Sequence, residues 1–118
     1  MSKEGYAARV EFTSGLSDRL TQIRWALEQL RQRPDASLFG ETRNSVHELA
    51  GTAGSFGLEE LSEIGVRLEQ ALLAWRARGA LPSMWAAVAD ADAALADFAE
   101  RLAPAAPAQP WRTVRAGL

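Results

Sequence analysis

The chain contains a single histidine, His47, and the residues around it determine what chemistry the sequence can perform. Residues three and four apart are neighbours on a helix, which puts Arg43, Ala50 and Gly51 beside His47, with Gly54 one turn further along. His47 comes one position after a core residue, so we expect its ring at the exposed edge of the helix. An exposed neutral imidazole is a nucleophile that can accept a phosphoryl group on a ring nitrogen.

Gly51 and Gly54 strengthen this hypothesis without proving it. Each glycine in a helix interior costs about 0.5–1 kcal/mol relative to alanine, so a helix that carries two of them needs a reason. Tight packing between helices is one reason, and access of a second molecule to His47 is the other. A histidine on this face that has no chemical role also fits the pattern, and the sequence leaves these interpretations open.

The amino-acid composition excludes most other kinds of catalytic and binding site. The 118 residues carry 13 basic and 15 acidic side chains, which is typical of one globular domain and gives no basic surface for nucleic acid. The absence of cysteine excludes thiol nucleophiles and cysteine-ligated zinc, and one histidine is too few for a typical zinc site. We expect no metal and no cofactor. No long apolar run predicts membrane insertion, so we expect a cytoplasmic protein.

Two further enzyme-like constellations fail on spacing. A serine hydrolase would need a serine near His47, but Ser55 lies eight residues further along the same helix, out of hydrogen-bond reach. Asp90 and Asp92 could suggest a metal site, yet residues two apart on a helix do not face each other, so a solvated face is the better interpretation.

Four segments predict the helices that must position His47. In each, apolar residues recur at steps of three and four, which is the spacing of one helix face. The four sets are Leu16, Leu20, Ile23, Leu27 and Leu30; Phe39, Val46, Leu49, Ala53 and Phe56; Leu61, Ile64, Leu68, Leu72 and Trp75; and Met84, Val88, Ala91, Leu95, Phe98 and Leu102. Short connections between amphipathic helices favour an all-α, antiparallel up-and-down four-helix bundle.

Helix boundaries follow from capping and breaking residues. Asp35 or Ser37 can cap the second helix, and glycines at 57 and 79 can end the second and third. Pro82 suits the first turn of the fourth helix. Gly15 can separate a short N-terminal helical turn from the first helix. We predict a bundle domain over residues 1–103 and a Pro/Ala-rich tail over 104–118.

The sequence from His47 to Gly57, HELAGTAGSFG, followed by a leucine-rich helix with Leu68 and Glu69, resembles the histidine-containing phosphotransfer (HPt) domain. The specific part of the resemblance covers residues 43–69. It implies a helical bundle in which His47 accepts and donates a phosphoryl group with response-regulator receiver domains of a bacterial two-component phosphorelay. It implies a phosphoryl carrier rather than an enzyme, and we expect no ATP-binding or kinase domain in the chain.

One departure from the family pattern concerns positive charge. Where the family commonly has a lysine, three residues after the histidine, this chain has Ala50. Arg43 is the first candidate to replace that cation next to the phosphoryl group; Arg67 is the second, although pairing with Glu63 is the better interpretation for it. Glu69 would repel a phosphoryl group if it pointed the same way, so we expect it to point to solvent.

The resemblance also implies a partner surface. We expect receiver domains to dock on a flat face that includes His47, Ala50, Gly51, Gly54 and Leu58, with a hybrid sensor histidine kinase as a further partner. We expect a monomer that binds neither nucleic acid nor membrane. The alternative is a degenerate HPt-like scaffold that binds a partner without being phosphorylated.

Overall fold

The computed structural model describes the backbone of residues 3–102 and the side chains from residue 15 to residue 102. Four α-helices follow one another along the chain: α1 (Lys3–Gln32), α2 (Ala36–Ser55), α3 (Glu59–Ala77) and α4 (Ala86–Leu102). A short 3-10 turn, Pro82–Met84, precedes α4. There is no strand in this part of the chain, and the predicted all-α class is confirmed. The predicted tail, 104–118, lies outside the described residues.

Contacts between helices establish the antiparallel arrangement. The Phe39 and Trp75 rings lie 6.5 Å apart at one end of the α2–α3 pair, and the Ser62 hydroxyl donates to the Ala50 carbonyl at 2.9 Å towards the other end. Helices α2 and α3 therefore run in opposite directions. The same holds for α3 and α4, where Trp75 lies 4.9 Å from Trp85. At the other end of this pair, Arg101 bonds to Glu60.

The predicted stripes form the core. Every member of the α1 and α3 stripes is buried, and so are Val46, Leu49 and Ala53 of α2 and Val88, Ala91 and Leu95 of α4. The outer members of the α2 and α4 stripes are only half-buried: Phe39, Phe56, Met84, Phe98 and Leu102.

Capping residues end the helices largely as the sequence predicts. The Asp35 carboxylate accepts from the Leu38 N–H at 2.7 Å and caps α2. Gly57 and Gly79 adopt the left-handed conformation, with φ of 78° and 83°, and stop α2 and α3. No helix in the described part of the chain is both long enough and apolar enough to cross a membrane.

Two boundary predictions are wrong. Helix α1 runs without a break through Gly15, so there is no separate N-terminal turn. One glycine costs only about 1 kcal/mol, and the burial of Leu16 and Leu20 immediately after it holds the backbone helical. Pro82 opens the 3-10 turn rather than α4, which begins four residues later at Ala86.

Candidate functional site

His47 lies in the middle of α2, on the flank that faces α3, and 69% of its side chain is exposed. Helix α2 is fixed at this point by its neighbours Val46 and Leu49, which are completely buried. The imidazole is therefore held at the surface of the bundle by a backbone that cannot easily move. This placement agrees with the exposed edge position that the helical periodicity predicts.

Glu69 of α3 holds one side of the ring. The His47 Nδ1 atom lies 3.0 Å from Glu69 Oε2 and 3.1 Å from Oε1. Only 14% of the Glu69 side chain is exposed, so the expectation that it points to solvent is wrong. The rotation of α3 that buries Leu68 and Leu72 also turns Glu69 towards α2, because it lies at the edge of that stripe.

The carboxylate is shared with a second residue of α2. Arg43 Nε lies 3.3 Å from Glu69 Oε2, which is ion-pair distance. The N–H is not aimed well enough for a hydrogen bond, and this buried Nε has no hydrogen-bond partner in the described part of the protein. Both observations hold together: Arg43 balances the charge of Glu69, while one of its donors remains unsatisfied.

This geometry gives the two ring nitrogens different roles. A carboxylate at hydrogen-bond distance from Nδ1 favours the tautomer in which Nδ1 carries the proton and donates it to Glu69. The lone pair then lies on Nε2, for which no described residue supplies a hydrogen bond or ion pair. Nε2 is therefore the ring nitrogen that can act as a nucleophile, and the contact between Nδ1 and Glu69 fixes the orientation of the ring.

Ala50 and Gly65 mark a close approach of α2 and α3. Ala50 is only 6% exposed, and a Cβ built on Gly65 would lie 2.8 Å from the Ala50 Cβ. Gly65 is thus required by packing. Gly51, by contrast, is exposed, and a Cβ on it would meet nothing within 4 Å. Packing therefore explains the glycine at position 65, whereas it does not require the glycine at position 51.

A pocket of about 230 Å³ opens beside His47, on the side away from Arg43. It lies along the seam between α2 and α3, and His47 is itself one of its lining residues. Its lining contains one carboxylate and no cationic side chain: His47, Ala50, Gly51, Ser62, Val66 and Glu69. Arg67 is not among them, and within residues 15–102 no ion pair joins it to Glu63, so the predicted pairing is not present.

Apolar residues of α3 extend the exposed surface around this pocket. Val66 and Leu73 are 43% and 42% exposed, respectively three residues before and four after Glu69. Gly54 is exposed, and its missing Cβ would lie 3.3 Å from the Ser62 hydroxyl. Leu58, also expected at the partner surface, is half-buried and packs against the core.

A second, larger cavity lies elsewhere on the described part of the chain. It measures about 510 Å³ and lies between α1 and α2, lined by residues such as Trp25, Leu38 and Ser45. Ser45 is on the flank of α2 opposite His47, so this cavity is not part of the site. Trp25 is 64% exposed at the rim of this cavity.

The other constellations weighed from sequence are not assembled. The Ser55 hydroxyl donates to the Gly51 carbonyl at 3.1 Å. Asp92 accepts a 2.9 Å bond from Arg24 of α1. Among the side chains that the structure describes, no three acidic or histidine groups come together to hold a metal ion.

The sequence profile of one family, the Hpt domain, matches residues 8–105 of the chain. The chain belongs to the Hpt domain family. No protein of curated function and no solved structure matches it. Hpt domains are phosphocarrier modules of two-component phosphorelays, not kinases, and they interact with receiver domains and kinases.

Sequence reasoning missed two features of this Hpt domain. One is the inward direction of Glu69, which the α3 stripe could have suggested because residue 69 follows the buried Leu68. The other is the exposed pair Val66 and Leu73. Both are large apolar residues off the stripe of α3, and that is the signal by which they could have been found.

Proposed function

We propose that His47 is the phosphoryl acceptor and donor of this Hpt domain, in a cytoplasmic bacterial phosphorelay. The observation that carries the proposal is the exposed imidazole whose Nδ1 contacts Glu69 and whose Nε2 has no described partner. The phosphoryl donor and acceptor are the aspartates of response-regulator receiver domains. A hybrid sensor histidine kinase is the proposed source of the signal, and the carrier works as a monomer.

The transfer is a displacement at phosphorus. The Nε2 lone pair attacks the phosphorus of the receiver's aspartyl phosphate, the Nε2–P bond forms, and the P–O bond to the aspartate breaks, which releases the carboxylate. The proton on Nδ1 stays in place, and Glu69 stabilises the positive charge that develops on the ring. The reverse sequence donates the phosphoryl group to a second receiver domain.

The residues next to the phosphoryl group are assigned by their position around His47. Arg43 lies on one side, and its charge offsets that of Glu69. The Arg43 side chain is 42% exposed, so its guanidinium supplies positive charge on this side of the phosphoryl group. Ala50 and Gly51 form the opposite wall and leave space instead of charge.

The partner surface of the proposed carrier is small and apolar around this centre. Gly51 and Gly54 keep α2 flat, and the exposed Val66 and Leu73 add apolar area on α3. Leu58 contributes its exposed part at the lower edge. Such a surface, apolar around a single reactive group, suits docking of a globular protein domain.

A phosphotransfer assay tests the proposal. The purified chain and a His47→Gln variant are incubated with labelled, phosphorylated receiver domains from the same genome. We expect acid-labile, alkali-stable label on the native chain and none on the variant. A folded native chain that takes no label from any receiver domain would contradict the proposal and favour the non-phosphorylated scaffold.

A further inference from the structure

The pocket beside His47 leaves a phosphorylated site short of positive charge. A phosphoryl group brings close to two negative charges. Arg43 is the cation nearest to the ring in the described ion-pair network, and its charge is already opposed by Glu69. On the pocket side, none of the six lining residues is a lysine or an arginine.

The same pocket has the space for a missing cation. Its volume of about 230 Å³ begins at Ala50 and Gly51, whose small side chains leave it open, and passes Val66 on α3. The exposed Val66 can pack against an aliphatic stem, and the His47 ring and the Glu69 carboxylate both belong to the lining. Space, apolar wall and negative charge together match a long cationic side chain.

We propose that this pocket receives a lysine or arginine side chain of the protein that docks over His47, so that the partner completes the charge of the phosphoryl site. The inference rests on the proposed function of His47. The partner's cation bonds to a phosphoryl oxygen that faces away from Arg43. Phosphohistidine is therefore better stabilised in the complex than in the free carrier, and the free carrier readily gives up its phosphoryl group.

The first test uses the full chain alone, loaded with phosphoramidate, which transfers its phosphoryl group to histidine and releases ammonia. The ³¹P signal of phospho-His47 is followed while n-butylammonium is added, with tetramethylammonium at equal concentration as the control. We expect a saturable shift with n-butylammonium only, because it has both an apolar stem and N–H donors. Equal responses to the two salts would overturn the pocket assignment.

Variants then place the effect in the pocket. Ala50→Lys supplies the cation from within the chain, and Ala50→Met fills the same space without charge. Both should abolish the n-butylammonium response, whereas Ser55→Lys, an added charge two turns away on α2, should preserve it. If Ala50→Lys does not fold, Gly51→Lys replaces it, because a Cβ at Gly51 meets nothing within 4 Å. A response that survives Ala50→Met contradicts binding in this pocket.

The second test uses a receiver domain that exchanges phosphoryl groups with the native chain. Each lysine and arginine on its docking face is replaced by methionine. We expect one such variant to lose about tenfold in transfer rate, the effect of one charge-assisted hydrogen bond, and to be rescued by Ala50→Lys but not by Ala50→Met. Rescue by both, or by neither, would overturn the proposal.

The two tests separate this inference from the proposed function. If the native chain exchanges phosphoryl groups with receivers but shows no response to n-butylammonium and no rescue, the proposed function stands and the cation pocket is refuted. If the native chain gives no ³¹P signal from His47 and no transfer, both the proposed function and the cation pocket are refuted.

Discussion

At the scale of single residues, Glu69 is the group on which the proposed reactivity of His47 depends. It lies between a cation and an imidazole, and its limited exposure keeps water from competing fully for its oxygens. A carboxylate in this position both orients the ring and fixes the tautomer. Its two roles can be separated by two substitutions.

We expect Glu69→Ala to abolish the preference for a proton on Nδ1 and to slow phosphoryl acceptance by about tenfold, as the loss of one charge-assisted hydrogen bond implies. Glu69→Gln retains a carbonyl acceptor for the N–H and should keep the tautomer while losing part of the rate. The tautomer is measured from the ¹⁵N shifts of the imidazole, which are unambiguous because the chain has one histidine. An unchanged tautomer in Glu69→Ala would remove Glu69 from the mechanism.

Arg43 is the second residue whose role can be isolated. We expect Arg43→Met to lower the equilibrium fraction of phospho-His47 several-fold, because the unopposed Glu69 carboxylate then repels the phosphoryl group. Arg43→Lys should restore most of this fraction. Arg67→Met is the matched control, since residue 67 lies on nearly the opposite side of α3 from Glu69. Equal losses for Arg43→Met and Arg67→Met would indicate a general charge effect instead.

One residue-scale prediction from the sequence succeeded because helical geometry alone decides it, namely the exposure of His47. The exposure of His47 follows from its angle to the α2 stripe, and no tertiary detail is required. The α3 stripe could have indicated that Glu69 points inwards, but whether its carboxylate reaches His47 depends on how far α3 is rotated against α2. That rotation is set by the packing of Ala50 against Gly65, which cannot be derived from the periodicity of either helix.

At the scale of elements, the seam between α2 and α3 is the structural basis of the site. The Ala50–Gly65 approach brings the two backbones close, and the Ser62 hydroxyl, which donates to the Ala50 carbonyl, ties them together just below the pocket. The distance between the helices at this point fixes both the Glu69–His47 bond and the width of the pocket.

Two glycine substitutions therefore should have opposite effects on stability. Gly65→Ala places a Cβ 2.8 Å from the Ala50 Cβ and should destabilise the bundle by about 1–3 kcal/mol through overpacking. Gly51→Ala adds a Cβ in open space on a helix and should stabilise it by about 0.5–1 kcal/mol. Urea unfolding measures both free energies. A neutral Gly65→Ala would mean that the helices separate without strain.

Element boundaries show the limit of local sequence signals. The Gly57 and Gly79 stops were predictable because a left-handed conformation is a local requirement. The continuity of α1 through Gly15 was not, since it depends on the burial of Leu16 and Leu20 against other helices. Likewise, Pro82 is compatible with the start of an α-helix and with the start of a 3-10 turn, and in the structure it begins a 3-10 turn.

At the scale of the whole molecule, ion pairs connect α4 to the helices on either side of it. Arg24 of α1 bonds to Asp92, and Arg101 of α4 bonds to Glu60 of α3. The hydrogen bond from Arg101 lowers the pKa of the Glu60 carboxyl below its ordinary value. Within α1, the side chains of Arg31 and Gln32 lower the pKa of Glu28 to about 2.

These shifts predict how the stability of the bundle depends on pH. A carboxyl whose pKa is lower in the folded than in the unfolded chain stabilises the fold above the unfolded pKa, and this contribution is lost as the pH falls through the folded value. We therefore expect the unfolding midpoint of the native chain to fall on acidification below about pH 5, and Glu60→Gln to fall less steeply in that window. Because the pair is exposed, the difference should be small and should shrink in high salt. Thermal unfolding across this pH range measures this difference. Glu63→Gln is the control, because Glu63 is another exposed glutamate of α3. Curves for Glu60→Gln and the native chain that run parallel would show that the Arg101–Glu60 pair does not hold α4 to α3 in solution.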